Sequence, residues 1–316
     1  MNIQTPILYL VVPCYNEELV LPDTAEKLQT KMTTLIDAKK INAASRVLFI
    51  DDGSKDQTYQ IAAELHQANP LFGVVKLSHN RGQQNALMAG LSVANEAADI
   101  AITIDADLQD DIDAIDKMLD EHMNGAEIVY GVRSARKKDT IFKRMTAHAF
   151  YKLMENMGVE IIYDYSNFCL LGKNALDALL QYQESNLFIR GIVPQLGFKT
   201  AQVTYPRAKR LAGKSKYNIS QLLAVALEGI TSFSSKPLTM IWWLGFWLHL
   251  LGLASFVTTT VLFFVIDLHC VWMILSAMVW LTGIILLALG IIGFYLGKTY
   301  IETKHRPRFV IEDILN

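Results

Sequence analysis

Two different patterns of apolar and polar positions alternate over the first 205 residues. Short apolar runs, rich in β-branched residues and bounded by polar clusters, predict buried strands at residues 8–12, 46–50, 74–77, 100–104 and 128–131. Longer stretches between them, such as 17–36 and 84–94, space their apolar residues along one face of a helix. This repeated alternation predicts an α/β fold with a mostly parallel sheet and helices on both faces. Ligand sites in such folds lie at the carboxyl ends of strands, where the polar clusters of this chain also fall.

Two long uncharged stretches dominate the C-terminal third. Residues 240–266 and 271–296 contain no Lys, Arg, Asp or Glu, and each exceeds the roughly 20 residues that span a hydrocarbon core. The linker between them is too short for a domain, so a hairpin of two transmembrane helices is expected within residues 240–297. Residues 206–239 combine a basic loop with an apolar stripe at helical spacing. This pattern predicts interfacial amphipathic helices or, as the alternative, packing against the preceding domain.

Basic residues set the expected orientation of this hairpin. They lie outside the two stretches, at Lys236, Lys298, Lys304, Arg306 and Arg308. The positive-inside rule then places residues 1–205, a tail at 298–316 and both termini in the cytoplasm, with the chain as a multi-pass protein of the cytoplasmic (inner) membrane. Three scattered cysteines predict no disulfide framework and no zinc site, as expected for a reducing compartment.

The most informative short segment is the acidic cluster after the run at 100–104. Asp105 and Asp107 are two residues apart, so in an extended backbone their side chains point the same way. Two convergent carboxylates repel unless a cation lies between them, and hard oxygen ligands of this kind suit Mg²⁺ or Mn²⁺ completed by a diphosphate. The alternative is an ordinary acidic turn in which Asp110 or Asp111 caps the following helix.

Four motifs occur in order along the first domain. They are Pro13-Cys14-Tyr15-Asn16-Glu17-Glu18, Asp51-Asp52-Gly53-Ser54-Lys55-Asp56, Asn80-Arg81-Gly82 and Asp105-Ala106-Asp107-Leu108-Gln109-Asp110. With the apolar hairpin and the tail, they resemble the polyprenyl-phosphate glycosyltransferases of family 2, which have a GT-A fold. Dolichyl-phosphate mannose synthases and the undecaprenyl-phosphate glucosyl- and aminoarabinosyltransferases are such enzymes. The resemblance covers nearly the whole chain.

The resemblance implies metal-assisted, inverting transfer of a hexose from a UDP-sugar to undecaprenyl phosphate, which supplies a lipid-linked sugar for the cell envelope. The implied nucleotide-sugar-binding residues are Pro13, Tyr15, Glu17, Asp51, Asp52, Arg81, Asp105 and Ala106. The implied metal-contacting pair is Asp107 with Gln109. The implied catalytic residues are Asp105, Asp107, Arg133 and Asn167. The implied partners are the UDP-sugar, undecaprenyl phosphate, the lipid bilayer and further copies of this chain, with a tetramer as candidate assembly; no nucleic acid is expected.

One segment departs from the pattern of many relatives. Where they read Gly-Asp-Phe-Arg-Leu, this chain has Asn167 for the carboxylate and Cys169 for the arginine, which puts a catalytic base at 167 in doubt. The second pKa of a lipid phosphate is about 6, so the acceptor is already mostly dianionic at neutral pH. Such an acceptor needs positioning more than deprotonation. The implied acceptor phosphate-binding residues are Arg136, Arg207, Arg210, Lys214, Ser215 and Lys216.

Three other functions compete with this one. A processive polysaccharide synthase is disfavoured because its Gln-x-x-Arg-Trp motif is missing: all five Trp residues lie at 242 or later. A dinucleotide oxidoreductase is disfavoured because no Gly-x-Gly-x-x-Gly follows a predicted strand. A nonenzymatic scaffold that binds a nucleotide sugar beside a flippase or a partner transferase finds its support in Asn167, whereas the acidic cluster argues against it.

Overall fold

The computed structural model describes residues 5–134, 162, 165–184, 188–206, 243, 247 and 271–316. Its strands are β1 (Leu8–Cys14), β2 (Arg46–Asp51), β3 (Phe72–Leu77), β4 (Ile100–Thr103), β5 (Ile128–Arg133), β6 (Tyr165–Gly172), β7 (Thr200–Tyr205) and β8 (Ile311–Leu315). Its helices are α1 (Leu21–Asp37), α2 (Thr58–Ala68), α3 (Gln83–Ala94), α4 (Ala114–Met123), α5 (Lys173–Leu180), α6 (Ile189–Gln195) and α7 (Val271–Thr303).

The eight strands form one mixed sheet in the order β7-β5-β6-β4-β1-β2-β3-β8. Strands β1 to β4 run parallel to one another, and β5 runs parallel to β7. Strand β6 runs antiparallel between β4 and β5, and β8 runs antiparallel to β3 at the edge. The predicted α/β fold is therefore confirmed as a GT-A-like mixed sheet.

Helices cover both faces of the central strands, which explains why those strands are apolar along their whole length. Alternate residues of β1 point to opposite sides: Leu8 and Leu10 pack in the core beneath α1, α2 and α4, whereas Tyr9 and Val11 pack beneath α3, α5 and α6. Helix α3 lies very close to the sheet, since a Cβ atom at Gly90 would be 2.5 Å from Val11 Cγ1. This packing holds the carboxyl ends of the parallel strands in fixed positions.

The C-terminal apolar stretches are described only in part. The predicted span at 271–296 lies within α7, which continues to Thr303. Apart from positions 206, 243 and 247, the predicted interfacial segment and first span at 206–266 lie outside the described residues. Counted over the described residues alone, no helix has both the length and the apolar character needed to cross a bilayer. The hairpin therefore stays a prediction.

The end of the chain differs from the separate tail expected at 298–316. Strand β8 pairs with β3, aligning Leu315 with Val74, and the Ser78 N–H donates to the Val310 carbonyl at 2.9 Å. Across this edge, Lys76 Nζ lies 2.7 Å from Glu312 Oε1. Residues 311–315 thus belong to the same sheet as the first 205 residues.

Candidate active site

Four loops follow the parallel strands and meet along one edge of the sheet. We call them the first loop (residues 15–20, after β1), the second loop (52–57, after β2), the third loop (78–82, after β3) and the acidic loop (104–113, after β4). Each of the four motifs lies in one of these loops or at the strand end before it. Parallel strands bring their carboxyl ends to one edge, so motifs distant in sequence become neighbours.

Hydrogen bonds tie the first loop to the second. The Asn16 N–H donates to Ser54 Oγ at 3.0 Å, and the Lys55 N–H donates to Asn16 Oδ1 at 2.9 Å. The Glu17 N–H donates to Thr58 Oγ1 at 2.9 Å. Asn16 adopts a left-handed backbone (φ 52°), which asparagine tolerates better than most residues. The two loops therefore form one rigid wall.

The residues predicted to form the nucleoside pocket lie on this wall. Pro13, Tyr15 and Glu17 are half-buried, and Pro13 aligns with Ile50 of β2 in the sheet. The structure thus brings the three side chains beside the end of β2, where the two acidic residues of the second motif lie. Their contact with a nucleoside stays a prediction.

Asp52 holds the third loop in place. Its carboxylate accepts the Arg81 N–H at 2.7 Å and the Gly82 N–H at 2.8 Å. Burial raises the pKa of Asp52 above its usual range, although both hydrogen bonds oppose the shift. Gly53 (φ 64°) is required beside it, since a Cβ atom there would be 2.6 Å from the Asn80 nitrogen. Asp52 therefore has a structural role that the sequence did not reveal, and the Arg81 side chain is left exposed.

Asp51 is buried at the end of β2. Burial raises its pKa above the usual range, and the Ser54 N–H, donating at 3.3 Å, and the charge of Lys76 partly oppose this shift. Unlike Asp52, it accepts no hydrogen bond from the third loop among the described residues. This leaves Asp51 as the better candidate of the two for recognising a base.

The acidic loop is fixed from two sides. Gln83 at the start of α3 donates through Nε2 to Asp105 Oδ1 at 2.7 Å, and Thr24 Oγ1 of α1 donates to the Ala106 carbonyl at 2.6 Å. The Ala106 methyl group is buried, and the residue holds the loop in place through its backbone carbonyl. Through these two hydrogen bonds, the acidic loop contacts both α1 and α3.

The expectation that Asp105 and Asp107 lie on one extended segment is wrong. Strand β4 ends at Thr103, and the Leu108 N–H donates to the Asp105 carbonyl at 3.2 Å, which closes a turn. Leu108 is buried with a left-handed backbone (φ 43°), a strained conformation of the kind found at functional sites. The turn, and not strand alternation, sets the relation between the two carboxylates.

The acidic loop concentrates negative charge. Burial, together with the charges of Asp110 and Asp107, raises the pKa of Asp105 to about 6, against the opposing charges of Arg190 and Arg133. Three carboxylates within mutual electrostatic reach make a site that favours either a proton or a bound cation.

We expect Asp105 to contribute less to the stability of the metal-free protein at neutral pH than at pH 5. The folded protein keeps the Asp105 proton up to about pH 6, whereas the unfolded chain releases it near about pH 4, so this contribution to stability falls as the pH rises between those values. In chelator, Asp105→Asn should raise the unfolding temperature relative to the parent more at pH 7.5 than at pH 5. An equal difference at both pH values would contradict this electrostatic picture.

Asp110 and Arg133 form a buried ion pair behind the loop. Arg133 donates through Nε at 3.0 Å and Nη2 at 2.8 Å to Asp110 Oδ1, which also accepts the Tyr205 hydroxyl at 2.7 Å. The Asp110 side chain is 1% exposed. Arg133, one of the predicted catalytic residues, therefore also anchors β5 and the end of β7 to the acidic loop.

Asn167 lies on β6 next to these groups and is 4% exposed. Its Oδ1 accepts a hydrogen bond from Arg190 Nε at 3.0 Å, and Thr103 Oγ1 of β4 donates to its carbonyl. Cys169, two residues further along β6, is buried as well. Arg190 was missed in the sequence, because only the packing of α6 against β6 brings it to Asn167, and nothing in its local sequence indicates that contact.

The donor set of the acidic loop fits a divalent cation shared with a substrate. Within the residues that the structure describes, no group of three or more His, Cys, Asp or Glu side chains is arranged to hold a metal alone. Magnesium sites in nucleotide enzymes commonly need only one or two carboxylates, with substrate phosphates completing the shell. Asp107, whose Oδ1 accepts the Gln109 N–H at 3.2 Å, and the Gln109 amide supply oxygen ligands of the right kind. The metal site stays a prediction.

The predicted acceptor-binding residues lie outside the described part of the chain. They are Arg136, Arg207, Arg210, Lys214, Ser215 and Lys216. The described site is therefore the half that was expected to bind the nucleotide sugar.

Comparison with known proteins agrees with this fold and these motifs. Residues 9–180 match the model of the family described as glycosyl transferase family 2. The chain is 43% identical to the uncharacterized glycosyltransferase YkoT of Bacillus subtilis, over 100% of this chain and 94% of that protein. It is 34% identical to the bactoprenol glucosyl transferase of Shigella phage SfV, over 96% and 97%.

Among solved structures, the chain is similar to glucosyl-3-phosphoglycerate synthase from Mycobacterium tuberculosis. The two share 16% identity with a TM-score of 0.46, over 72% of this chain and 78% of that one. A similarity at this level carries no inference about ligands. The family match, which covers residues 9–180, and the full-length relatives establish what the motifs indicated: the chain belongs to glycosyl transferase family 2 and is a glycosyltransferase.

Proposed function

We propose that this enzyme moves a hexose, either glucose or a related or amino hexose, from a UDP-sugar to undecaprenyl phosphate. The observation that carries the proposal is the joining of the four motif-bearing loops at one sheet edge, around a concentration of negative charge. Support for the lipid acceptor comes from the full-length similarity to the bactoprenol glucosyl transferase of Shigella phage SfV. The product would be a lipid-linked sugar for glycosylation of the cell envelope.

On the donor side, the wall made by the first and second loops receives the nucleoside. Tyr15 packs on the base or ribose, and Asp51 accepts the uracil imide N–H. The third loop, which Asp52 holds in place, brings the N-terminus of α3 to the site, and anions are favoured at such a helix end. Asp105 lies nearer the ribose or the sugar, fixed by Gln83.

Asp107 and Gln109 would hold Mg²⁺ or Mn²⁺. When bound, the ion stabilises the negative charge that develops on the leaving diphosphate. The buried Asp110–Arg133 pair keeps the loop that carries these ligands in position. The buried side chain of Leu108 packs the back of this loop into the hydrophobic core.

The chemical step is a direct displacement. A phosphate oxygen of undecaprenyl phosphate attacks the anomeric carbon of the hexose, the bond to the diphosphate breaks and UDP leaves, so the configuration is inverted. Because the acceptor is already a dianion at neutral pH, the enzyme needs no carboxylate base at position 167. Basic residues at 136 and 207–216 neutralise and orient the acceptor.

We place residues 240–297 in the cytoplasmic membrane as a two-helix hairpin, with copies of the chain associating through these hairpins. The uncharged stretches at 240–266 and 271–296 support this placement. The pairing of β8 with β3 gives independent support for its topology. Since β8 belongs to the same sheet as β1 to β7, the chain must cross the membrane an even number of times between β7 and β8.

The substrate assignment is tested with membranes from cells that overproduce the protein. We expect one labelled UDP-hexose from a radioactive panel to yield an acid-labile, solvent-extractable lipid, and membranes that carry Asp107→Asn to yield at least about a hundredfold less. Label that appears only in a polymer, or only with a nucleotide other than UDP, would contradict the assignment.

The topology is tested with short epitope tags in intact cells. Tags at Met1 and at Asn316 should both be protected from external protease, whereas a tag in the linker at 267–270 should be cleaved. Cleavage of either terminal tag in unbroken cells would overturn the orientation.

A further inference from the structure

Arg190 and Asn167 form a polar pair beside the acidic loop. Arg190 Nε donates to Asn167 Oδ1 at 3.0 Å, and the charge of Arg190 reaches the Asp105 carboxylate. Arg190 lies at the start of α6 and Asn167 on β6, so both are held by packed elements and not by a free loop. Arg190 is half-buried, and Asn167 is almost fully buried.

The asparagine amide leaves one buried donor unpaired. Because a guanidinium can only donate hydrogen bonds, the Asn167 oxygen must face Arg190, and this fixes the position of Nδ2. Among the described residues, Nδ2 has no hydrogen-bond partner although it is buried. A buried donor without a partner is costly, and such a group needs an explanation such as a bound ligand.

The pair also keeps its positive charge. Asn167 is neutral, so it orients the guanidinium without neutralising it. Within the described part of the chain, no carboxylate forms an ion pair with Arg190, whereas Arg133 is neutralised by Asp110. Arg190 is therefore a positioned cation whose charge is available to a ligand.

We propose that Arg190 and the Asn167 amide together form a phosphate-binding position in the active site. Both groups donate, one of them is charged, and phosphate oxygens accept such bonds strongly. The proposal rests on the proposed function, in which the diphosphate of the donor and the phosphate of the acceptor both offer these oxygens. In this chain, asparagine at 167 serves to orient Arg190 and to donate, and an aspartate there would bind the guanidinium in competition with the substrate.

The test compares single replacements in the full-length protein in lipid nanodiscs. Arg190→Gln removes the charge, Arg190→Lys keeps it, and Asn167→Asp changes the charge of the partner with almost no change of shape. Arg46→Gln is the control, since Arg46 is half-buried at the start of β2, at the opposite end of the sheet, and donates to the Ser45 carbonyl at 3.1 Å. Affinities for UDP and uridine are measured by calorimetry. The kcat and KM of sugar transfer are measured with varied concentrations of undecaprenyl phosphate.

We expect Arg190→Gln and Asn167→Asp to weaken phosphate use by at least about tenfold, with Arg190→Lys and Arg46→Gln much closer to the parent protein. A fall in UDP affinity with unchanged uridine affinity assigns the pair to the donor diphosphate. A rise in the KM for undecaprenyl phosphate with unchanged UDP affinity assigns it to the acceptor. Either result supports a phosphate-binding role for Arg190 and Asn167.

Other results would overturn the proposal. The first is that both the UDP affinity and the KM for undecaprenyl phosphate stay within twofold of the parent in Arg190→Gln and Asn167→Asp. The second is that Arg190→Gln and Arg190→Lys lose the same amount of phosphate use. The third is that UDP and uridine affinities fall equally. A parent protein that binds UDP but transfers no sugar to undecaprenyl phosphate refutes the proposed function. In that case the UDP and uridine affinities alone decide for or against the pair.

Discussion

Replacing Asp107 by Asn is expected to lower sugar transfer by about a hundredfold to a thousandfold while the protein stays folded. The reason is that a metal acting on a leaving group contributes several kcal/mol to the rate, and an amide is a much weaker ligand than a carboxylate. Asp107 is half-buried on the acidic loop and not in the hydrophobic core, so its replacement costs little stability. Initial rates of UDP release and the unfolding temperature measure the two effects separately.

Asp113→Asn is the matched control for this prediction. Asp113 follows closely in sequence, but its side chain is 81% exposed and pairs with Lys31 of α1, away from the strand ends. It should keep nearly the parent rate. Chelation by EDTA should mimic Asp107→Asn in the parent protein, and added Mn²⁺ or Mg²⁺ should reverse it. Full activity in chelator, or equal losses in the two variants, would contradict the metal-assisted mechanism.

Replacing Asp110 by Ala is expected to cost about 3–5 kcal/mol of stability, the largest structural effect predicted for the site. The change removes the acceptor of three hydrogen bonds and leaves the Arg133 charge inside the protein without a partner. Tyr205→Phe should cost less, about 1.5–3 kcal/mol, because one hydrogen bond to the carboxylate is lost and the ion pair survives. Thermal unfolding of the full-length protein in detergent measures both.

A second comparison makes this prediction specific. Asp110→Asn keeps the shape but not the charge, so its stability should lie between those of Tyr205→Phe and Asp110→Ala. If Asp110→Ala were no less stable than Tyr205→Phe, the ion pair could not be what anchors the acidic loop to β5 and β7.

The strands of the first half of the sheet could be predicted because each is a short β-branched run buried on both faces. Strand β2 was expected at 46–50 and ends one residue later, and β4 was expected at 100–104 and ends one residue earlier. These patterns depend on local burial alone. The motifs at the strand ends were found for the same reason, since fold class already places them at one edge.

Strands β6 and β8 could not be predicted, because their formation depends on distant partners. Strand β6 includes the polar Asn167, and only its place between β4 and β5 buries that side chain. Strand β8 is short and carries Glu312 and Asp313, which suit an exposed edge and give a weak strand signal. Its pairing joins residues more than two hundred positions apart, which no local pattern contains.

Parts of the site were hidden for a similar reason. The loop-holding role of Asp52 depends on the approach of the Arg81 backbone, and the role of Arg190 depends on α6 packing against β6. The turn at Leu108 was missed because leucine rarely adopts a left-handed backbone, and the surrounding fold imposes it here. Residue types indicated the chemistry of the site, whereas its supporting contacts required the tertiary structure.

The most direct test of the central claim is UDP release by the purified full-length protein, measured with and without undecaprenyl phosphate. With the right UDP-hexose and Mn²⁺ or Mg²⁺, we expect release to depend on the lipid phosphate and to match, mole for mole, the sugar recovered on the lipid. Undecaprenol without its phosphate should give no such release. UDP release that is independent of lipid phosphate, or no release with any UDP-hexose although UDP binds, would contradict the account.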